Sequence, residues 1–224
     1  GSGFFKNRFI IVSSKKIGVI GGKKNRKTGE HHTQLFCATV QKNGDLKKMV
    51  LYSRILNTKQ NEGSITFSPD NKTIYFTRNN FKENENFQIY KATDKTGNGQ
   101  WLNEEELSFS SNNYSVEDVF LSQDGKKLYF SSNMPGGFGG YDLYMIKVKD
   151  DNTYSQPENL GKGINTVKNE RYPFIDTENK NIYFSSNAYN TIGGLDIYKS
   201  RITKKGYSKI INLGPKINST SNDY

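Results

Sequence analysis

The chain has a single cysteine, Cys37, so no internal disulfide can form. Its thiol lies in the strand-like run Leu35-Phe36-Cys37-Ala38-Thr39-Val40, where it reads as a buried, inert core group that leaves the redox compartment open. Long apolar runs are missing as well. No stretch approaches the ~18 residues that a membrane-spanning helix requires, so no transmembrane segment is expected. Arginine is scarce, with six residues against a total of 32 Lys and Arg. Without an Arg-rich stripe or a mixed aromatic and basic motif, the net charge of +10 does not point to nucleic acid. An anionic surface or protein partner fits that charge better.

The signatures of catalysis and cofactor binding are absent too. There is no Gly-x-Ser-x-Gly elbow, P-loop or GxGxxG. The two histidines, His31 and His32, are adjacent, with Glu30 as their only near acid. Neighbouring side chains on an extended segment point to opposite sides and chelate poorly, so a solvated loop is the reading there. No catalytic residue, cofactor or metal ion is expected.

What the chain does have is aromatic residues in a fixed rhythm. Only 33% of it is apolar, but 14 Tyr and 14 Phe supply large buried area per residue. Ile74-Tyr75-Phe76 recurs as Leu128-Tyr129-Phe130 and Ile182-Tyr183-Phe184, each 54 residues on. Gln88-Ile89-Tyr90 recurs in step as Asp142-Leu143-Tyr144 and Asp196-Ile197-Tyr198. A constant period of this size means one supersecondary unit in tandem. Each copy reads as four short strands joined by hairpins. In the second copy these are Ile65–Phe67, Thr73–Thr77, Phe87–Ala92 and Trp101–Leu107. The fold class is therefore all-β, a β-propeller of four-stranded antiparallel blades. The blades fall at about 1–62, 63–116, 117–170 and 171–224, as one propeller fragment. Tyr75, Tyr129 and Tyr183 alternate with Phe76, Phe130 and Phe184, and both sets are expected to be largely buried. The first blade is the degenerate copy, with extra residues within Ile17–His32. The last residues, 218–224, match the linkers before other blades, which leads to the expectation of one or two more blades outside this chain.

Ser68-Pro69-Asp70-Asn71-Lys72-Thr73-Ile74-Tyr75-Phe76 resembles the signature of PD40 (WD40-like) repeats, known from TolB-type periplasmic propellers. The string Leu128 to Tyr144, with Pro157-Glu158-Asn159-Leu160-Gly161 and Ile164-Asn165-Thr166, resembles the propeller of Bacteroidota OmpA-family envelope proteins. That resemblance implies a periplasmic, outer-membrane-associated, non-enzymatic scaffold that binds envelope proteins. It would reach peptidoglycan only through domains outside this chain, and in some relatives it would serve type IX secretion. The alternatives are a regulatory or substrate-gating propeller of a peptidase or hydrolase, and a glycan or small-molecule sensor using the central channel.

The recurring acids have structural readings. Asp70, Asp124 and Glu178 align in the first hairpin turn, where an acid can hold its own backbone. In Gly139-Gly140-Tyr141-Asp142 and Gly193-Gly194-Leu195-Asp196 the glycines are expected to ease the turn into the third strand and the Asp to pin it. Residues that differ between blades are instead free to serve a partner. These candidates are Lys23, Lys24, Arg26, Lys27, His31 and His32 in blade 1, and Phe81 and Phe87 in blade 2. Blade 3 adds Met134, Pro135 and Phe138, and blade 4 adds Tyr189.

Overall fold

A computed structural model describes residues 2–15, 24, 29, 31–79, 85–151 and 153–224. Among them there is no helix, and four antiparallel sheets form the four blades of a β-propeller fold. The first sheet runs in the order β1 (Ser2–Phe5), β2 (Arg8–Ser13), β3 (Gln34–Val40) and β4 (Leu46–Leu51). The second contains β5 (Glu62–Phe67), β6 (Thr73–Asn79), β7 (Phe87–Thr93) and β8 (Leu102–Glu106). The third contains β9 (Val116–Leu121), β10 (Lys127–Ser132), β11 (Asp142–Lys147) and β12 (Glu158–Asn159). In the fourth, β13 (Glu170–Ile175), β14 (Asn181–Ser186) and β15 (Asp196–Thr203) are followed by two short pieces, β16 (Gly206–Tyr207) and β17 (Ile211–Asn212), that both pair with β15.

The chain divides into two compact units, residues 1–112 and 113–224, each holding two blades. In the first unit, Phe5, Ile10, Leu35 and Cys37 of blade 1 pack against Ile65, Phe76, Ala92 and Trp101 of blade 2. In the second, Tyr129 and Leu143 of blade 3 pack against Ile175, Ile182, Phe184 and Tyr198 of blade 4. Period-two alternation explains the arrangement, because successive side chains on the second strand serve opposite faces of a blade. Cys37 is buried and pairs in register with Ile10, in the place that Met145 and Tyr129 hold in blade 3. The thiol is thus a core group, as its sequence context indicates.

Phe76, Phe130, Phe184, Tyr75 and Tyr129 are all buried, but Tyr183 is only partly so. It lies beside the half-exposed Phe174 in an apolar cavity of about 310 Å³ that Tyr224 also lines. Tyr224 itself stacks on Tyr172, with ring centroids 4.5 Å apart.

Each of β5, β9 and β13 carries a bulge near its start, and in β9 and β13 the bulged residues Asp118 and Tyr172 have φ of 55° and 53°. The register repeats along with the sequence, even where the backbone leaves the regular ladder.

Candidate functional site

The linkers between blades explain the recurring polar residues. Asn57 accepts from Leu35 N (2.7 Å) and donates to Leu35 O (3.0 Å), so its amide closes a two-point clamp on β3. Asn165 does the same to Leu143 of β11 (2.8 and 2.9 Å), and Asn218 to Ile197 of β15 (2.8 and 3.0 Å). The amide side chain supplies the two bonds that a neighbouring strand would otherwise make, satisfying buried backbone groups. An acid then ties each linker back on itself. Glu62 accepts from Thr58 N and Oγ1, Glu170 from Thr166 N and Oγ1, and Asp223 from Ser219 N and Oγ. The linker after blade 2 lacks this motif and exchanges the roles of strand and linker: the Gln88 side chain of β7 accepts from Ser111 N (3.1 Å) and donates to Ser111 O (2.5 Å).

The Gly-Gly-x-Asp motif is part of the same device. Asp142 accepts from Phe138 N (2.6 Å), Gly139 N (3.2 Å) and Asn159 Nδ2 (2.7 Å). Asp196 repeats this with Ile192 N (2.8 Å), Gly193 N (3.1 Å) and Asn212 Nδ2 (2.7 Å). The expected pinning role is what the structure has. The glycines, however, do more than ease a turn, because the linker backbone lies directly on them. An alanine Cβ at 139 would sit 2.5 Å from Thr166 O, and one at 193 would sit 2.5 Å from Ser219 O.

In the first hairpin turn, Asp70 accepts from Ser68 Oγ (2.6 Å) and Lys72 N (3.0 Å), and Asp124 from Ser122 Oγ (2.6 Å) and Lys126 N (3.0 Å). Blade 4 departs from the alignment. Glu178 is exposed and pairs only with Lys180, while Asp176 holds the turn through Lys180 N (2.8 Å) and Asn181 N (3.2 Å). Asp176 stands 54 residues after Ser122, whose Oγ accepts from Lys127 N, so the carboxylate has replaced the hydroxyl in register.

These acids set the response to pH. Hydrogen bonds from Ser68 and Ser122 hold Asp70 and Asp124 below the ordinary carboxylate range. Burial pushes Asp94, Asp176 and Asp196 up, but their hydrogen bonds outweigh it and leave all three depressed. A depressed carboxylate contributes stability above its unfolded value, which is lost as pH falls through the folded one. Burial raises Glu62 and Glu170 instead; their contribution is full at low pH and lost as pH rises through the raised values. The five aspartates outnumber the two glutamates, so stability is expected to fall below about pH 4. Asp94→Asn should flatten the difference between urea midpoints at neutral pH and at about pH 3. An unchanged difference would refute the assignment.

Two arginines bind paired acids. Arg78 contacts Glu62 (3.2 Å) and Glu104 (2.5 Å) and lies over the Phe76 and Tyr90 rings. Arg171 of β13 bridges Glu117 and Asp118 (2.8 Å to the latter) and lies 4.6 Å over the Tyr141 ring. Ser131 Oγ also donates to Asp118 (2.6 Å), and Tyr141 OH to Glu117 (2.7 Å). Both acids of blade 3 are therefore held by blade 4 and by their own sheet.

The blade-specific candidates separate. Lys23, Arg26, Lys27 and Phe81 lie outside the described residues. Lys24 forms a β-bridge with His31, and His32 is not on a solvated loop as expected but buried, with Nδ1 3.3 Å from Asn61 Oδ1, which removes it from any docking surface. Phe87 is partly buried, its ring packed over Gly63. Met134 is partly buried and Pro135 exposed. Phe138 (39% exposed) and Tyr189 (43%) do stand outward. Two further residues belong with them: Ile192 (41%), in register with Phe138, and Val167 (78%), on the linker laid across Gly139. The period itself could have identified Ile192, since 138 and 192 differ by 54. The backbone N–H groups of Phe138 and Ile192 are bonded to Asp142 and Asp196, and Tyr189 OH donates to Ile164 O (2.9 Å). These apolar groups are thus held out on fixed backbone. Among the described residues no three or more His, Cys, Asp or Glu gather as a metal site.

Comparison with solved structures returns the propeller fold. A TolB from Acinetobacter baumannii aligns with 96% of the chain at 18% identity and a TM-score of 0.57. A TolB from Agrobacterium tumefaciens aligns with 96% of it at 15% identity and a TM-score of 0.56. A thermostable family-43 glycoside hydrolase aligns with 97% at 16% identity and a TM-score of 0.55. The chain is TolB-like in fold. It spans 43% and 65% of those two TolB chains and 72% of the hydrolase. No family profile and no curated protein matches it.

Proposed function

We propose that this chain is a non-catalytic protein-binding propeller of the bacterial cell envelope. In this reading it sits in the periplasm beside the outer membrane, as the propeller module of an OmpA-family, peptidoglycan-anchored protein serving type IX secretion. Its partners would be envelope proteins, and peptidoglycan would be reached through other domains. The observation that carries the binding role is the set of exposed apolar side chains on pinned loops, Phe138, Val167, Tyr189 and Ile192. Such residues lose little further backbone freedom on docking, and preorganisation of this kind favours binding. The envelope setting draws its support from the repeat signature in the sequence and the TolB-like fold.

A hydrolase, the rival suggested by the same fold, needs carboxyl groups free to exchange protons with substrate. The adjacent acids Glu117 and Asp118 are the natural pair to consider, and both are held by Arg171.

A photocrosslinking residue at position 138 or 192, expressed in the native envelope, is expected to capture a discrete protein. The Phe138→Asp/Ile192→Asp double variant should weaken that association about tenfold or more while remaining folded, because it charges the centre of an apolar contact. Absence of crosslinks at both positions would defeat the proposal. So would cleavage of glycans or peptides by the purified chain that Glu117→Gln abolishes.

A further inference from the structure

One departure from the repeat opens a space in the first unit. Blade 1 joins β1 to β2 with a two-residue turn, Lys6-Asn7, where blades 2, 3 and 4 use the five residues 68–72, 122–126 and 176–180. Beside it lies the eight-residue segment 94–101 that joins β7 to β8 of blade 2, where blade 3 uses the ten residues 148–157 between β11 and β12. The short turn leaves space that the segment 94–101 rims, and Lys6 Nζ donates across the gap to Asn98 Oδ1 (2.9 Å). The result is a cavity of about 380 Å³, within the range of ~300–1,000 Å³ usual for small-molecule sites.

Its lining is cationic and amphipathic. Lys6 and Arg8 supply charge, Asn7 and Asn98 supply amides, and Phe5 and Tyr52 supply aromatic surface. Neither this cavity nor the adjoining one of about 210 Å³, which shares Arg8 and adds Lys48, is lined by an acid. Among the described residues Arg8 makes no ion pair. Its guanidinium donates only to Cys37 Sγ at 3.7 Å, a weak acceptor. This contrasts with Arg78 and Arg171, each bound to two carboxylates. Asp94 is the acid nearest in effect, since its charge acts on Tyr52, but its oxygens are already engaged. They accept from Thr96 N (2.8 Å), Thr96 Oγ1 (2.7 Å), Gly99 N (2.6 Å) and Gln100 N (2.9 Å), which fixes the loop.

The floor is equally fixed. Phe5 packs edge-on to Trp101 (5.5 Å) and Tyr52 (5.9 Å), and Trp101 Nε1 donates to Tyr52 OH (3.0 Å). With its oxygen accepting from the indole, the Tyr52 hydroxyl keeps its own proton for another acceptor.

We propose that this cavity binds a small carboxylated sugar of the hexuronate class, with the carboxylate on Arg8 and Lys6. A guanidinium suits a carboxylate because its planar fork makes two parallel bonds, and the amides and the Tyr52 hydroxyl suit ring hydroxyls. This site is separate from the apolar loops of the second unit and does not depend on the role proposed for them.

Titration of the full chain with D-glucuronate, read by ligand-observed NMR and calorimetry, tests the site, with D-glucose and inorganic phosphate as parallel probes. Glucuronate is expected to saturate, and glucose and phosphate to bind about tenfold more weakly or less, since one lacks the charge and the other the ring. Arg8→Gln should weaken glucuronate about tenfold with no change in melting temperature, because Arg8 is exposed, and Lys6→Gln should have a smaller effect. Equal binding of glucuronate and glucose would overturn the proposal. Equal binding of phosphate would reduce the site to a plain cationic patch. Unchanged affinity in Arg8→Gln, or no binding of glucuronate at all, would also refute it.

Discussion

Gly139→Ala is expected to destabilise the second unit by about 3 kcal/mol, near the upper end for overpacking. The added methyl would sit 2.5 Å from Thr166 O and closer still to Lys168 O, so it meets main chain on the linker rather than a side chain that can rotate away. Moving that linker would disturb its neighbour Asn165 and the clamp on Leu143, exposing two buried backbone groups to the loss of their bonds. Gly163→Ala is the matched control. Its methyl would make ordinary contact with Tyr207 at 3.7 Å, and the expected change is within about 0.5 kcal/mol. Urea unfolding of both variants decides the matter, and equal midpoints would show that the linker yields without cost.

The second large effect is expected at Phe184. Its ring is buried in the core shared by blades 3 and 4 and lies 6.0 Å from the ring of Tyr198. Phe184→Ala should cost about 3–5 kcal/mol, combining lost transfer energy with the cavity left in a packed interface. The repeat makes the same demand of Phe130, also buried and stacked on Tyr144 at 5.9 Å. A loss below about 1 kcal/mol in the Phe184 variant would mean that the assigned face is wrong.

Most of the blade was legible because two periods coincide in it, the strand alternation and the 54-residue repeat. Where either fails, the sequence becomes hard to read. Strand β4, Leu46–Leu51, has adjacent lysines at 47 and 48 and little burial, and no alternation marks it as a strand. Asp176 was hidden because a carboxylate had taken the place of a hydroxyl, while the acid that kept the expected position, Glu178, pairs with the Lys180 ammonium and leaves the turn backbone to Asp176. Gly139 and Gly193 could be recognised as special, but which backbone would lie on them depends on segments some 27 residues away. The Lys6–Arg8 cavity was beyond reach for the same reason, since Lys6 and Asn98 meet across 92 residues. Local residues declare local geometry, and only the folded blades bring distant residues together.

The asparagine clamps also bear on the order in which the protein can mature on the ribosome. Asn57 and Asn165 each fasten a third strand that was synthesised about 22 residues earlier. A blade whose four strands have all emerged is therefore still unfastened until its outgoing linker follows. Slow translation through 53–62 or 161–170 would prolong the interval in which β3 or β11 can be captured by a chaperone or pair with a neighbouring nascent chain.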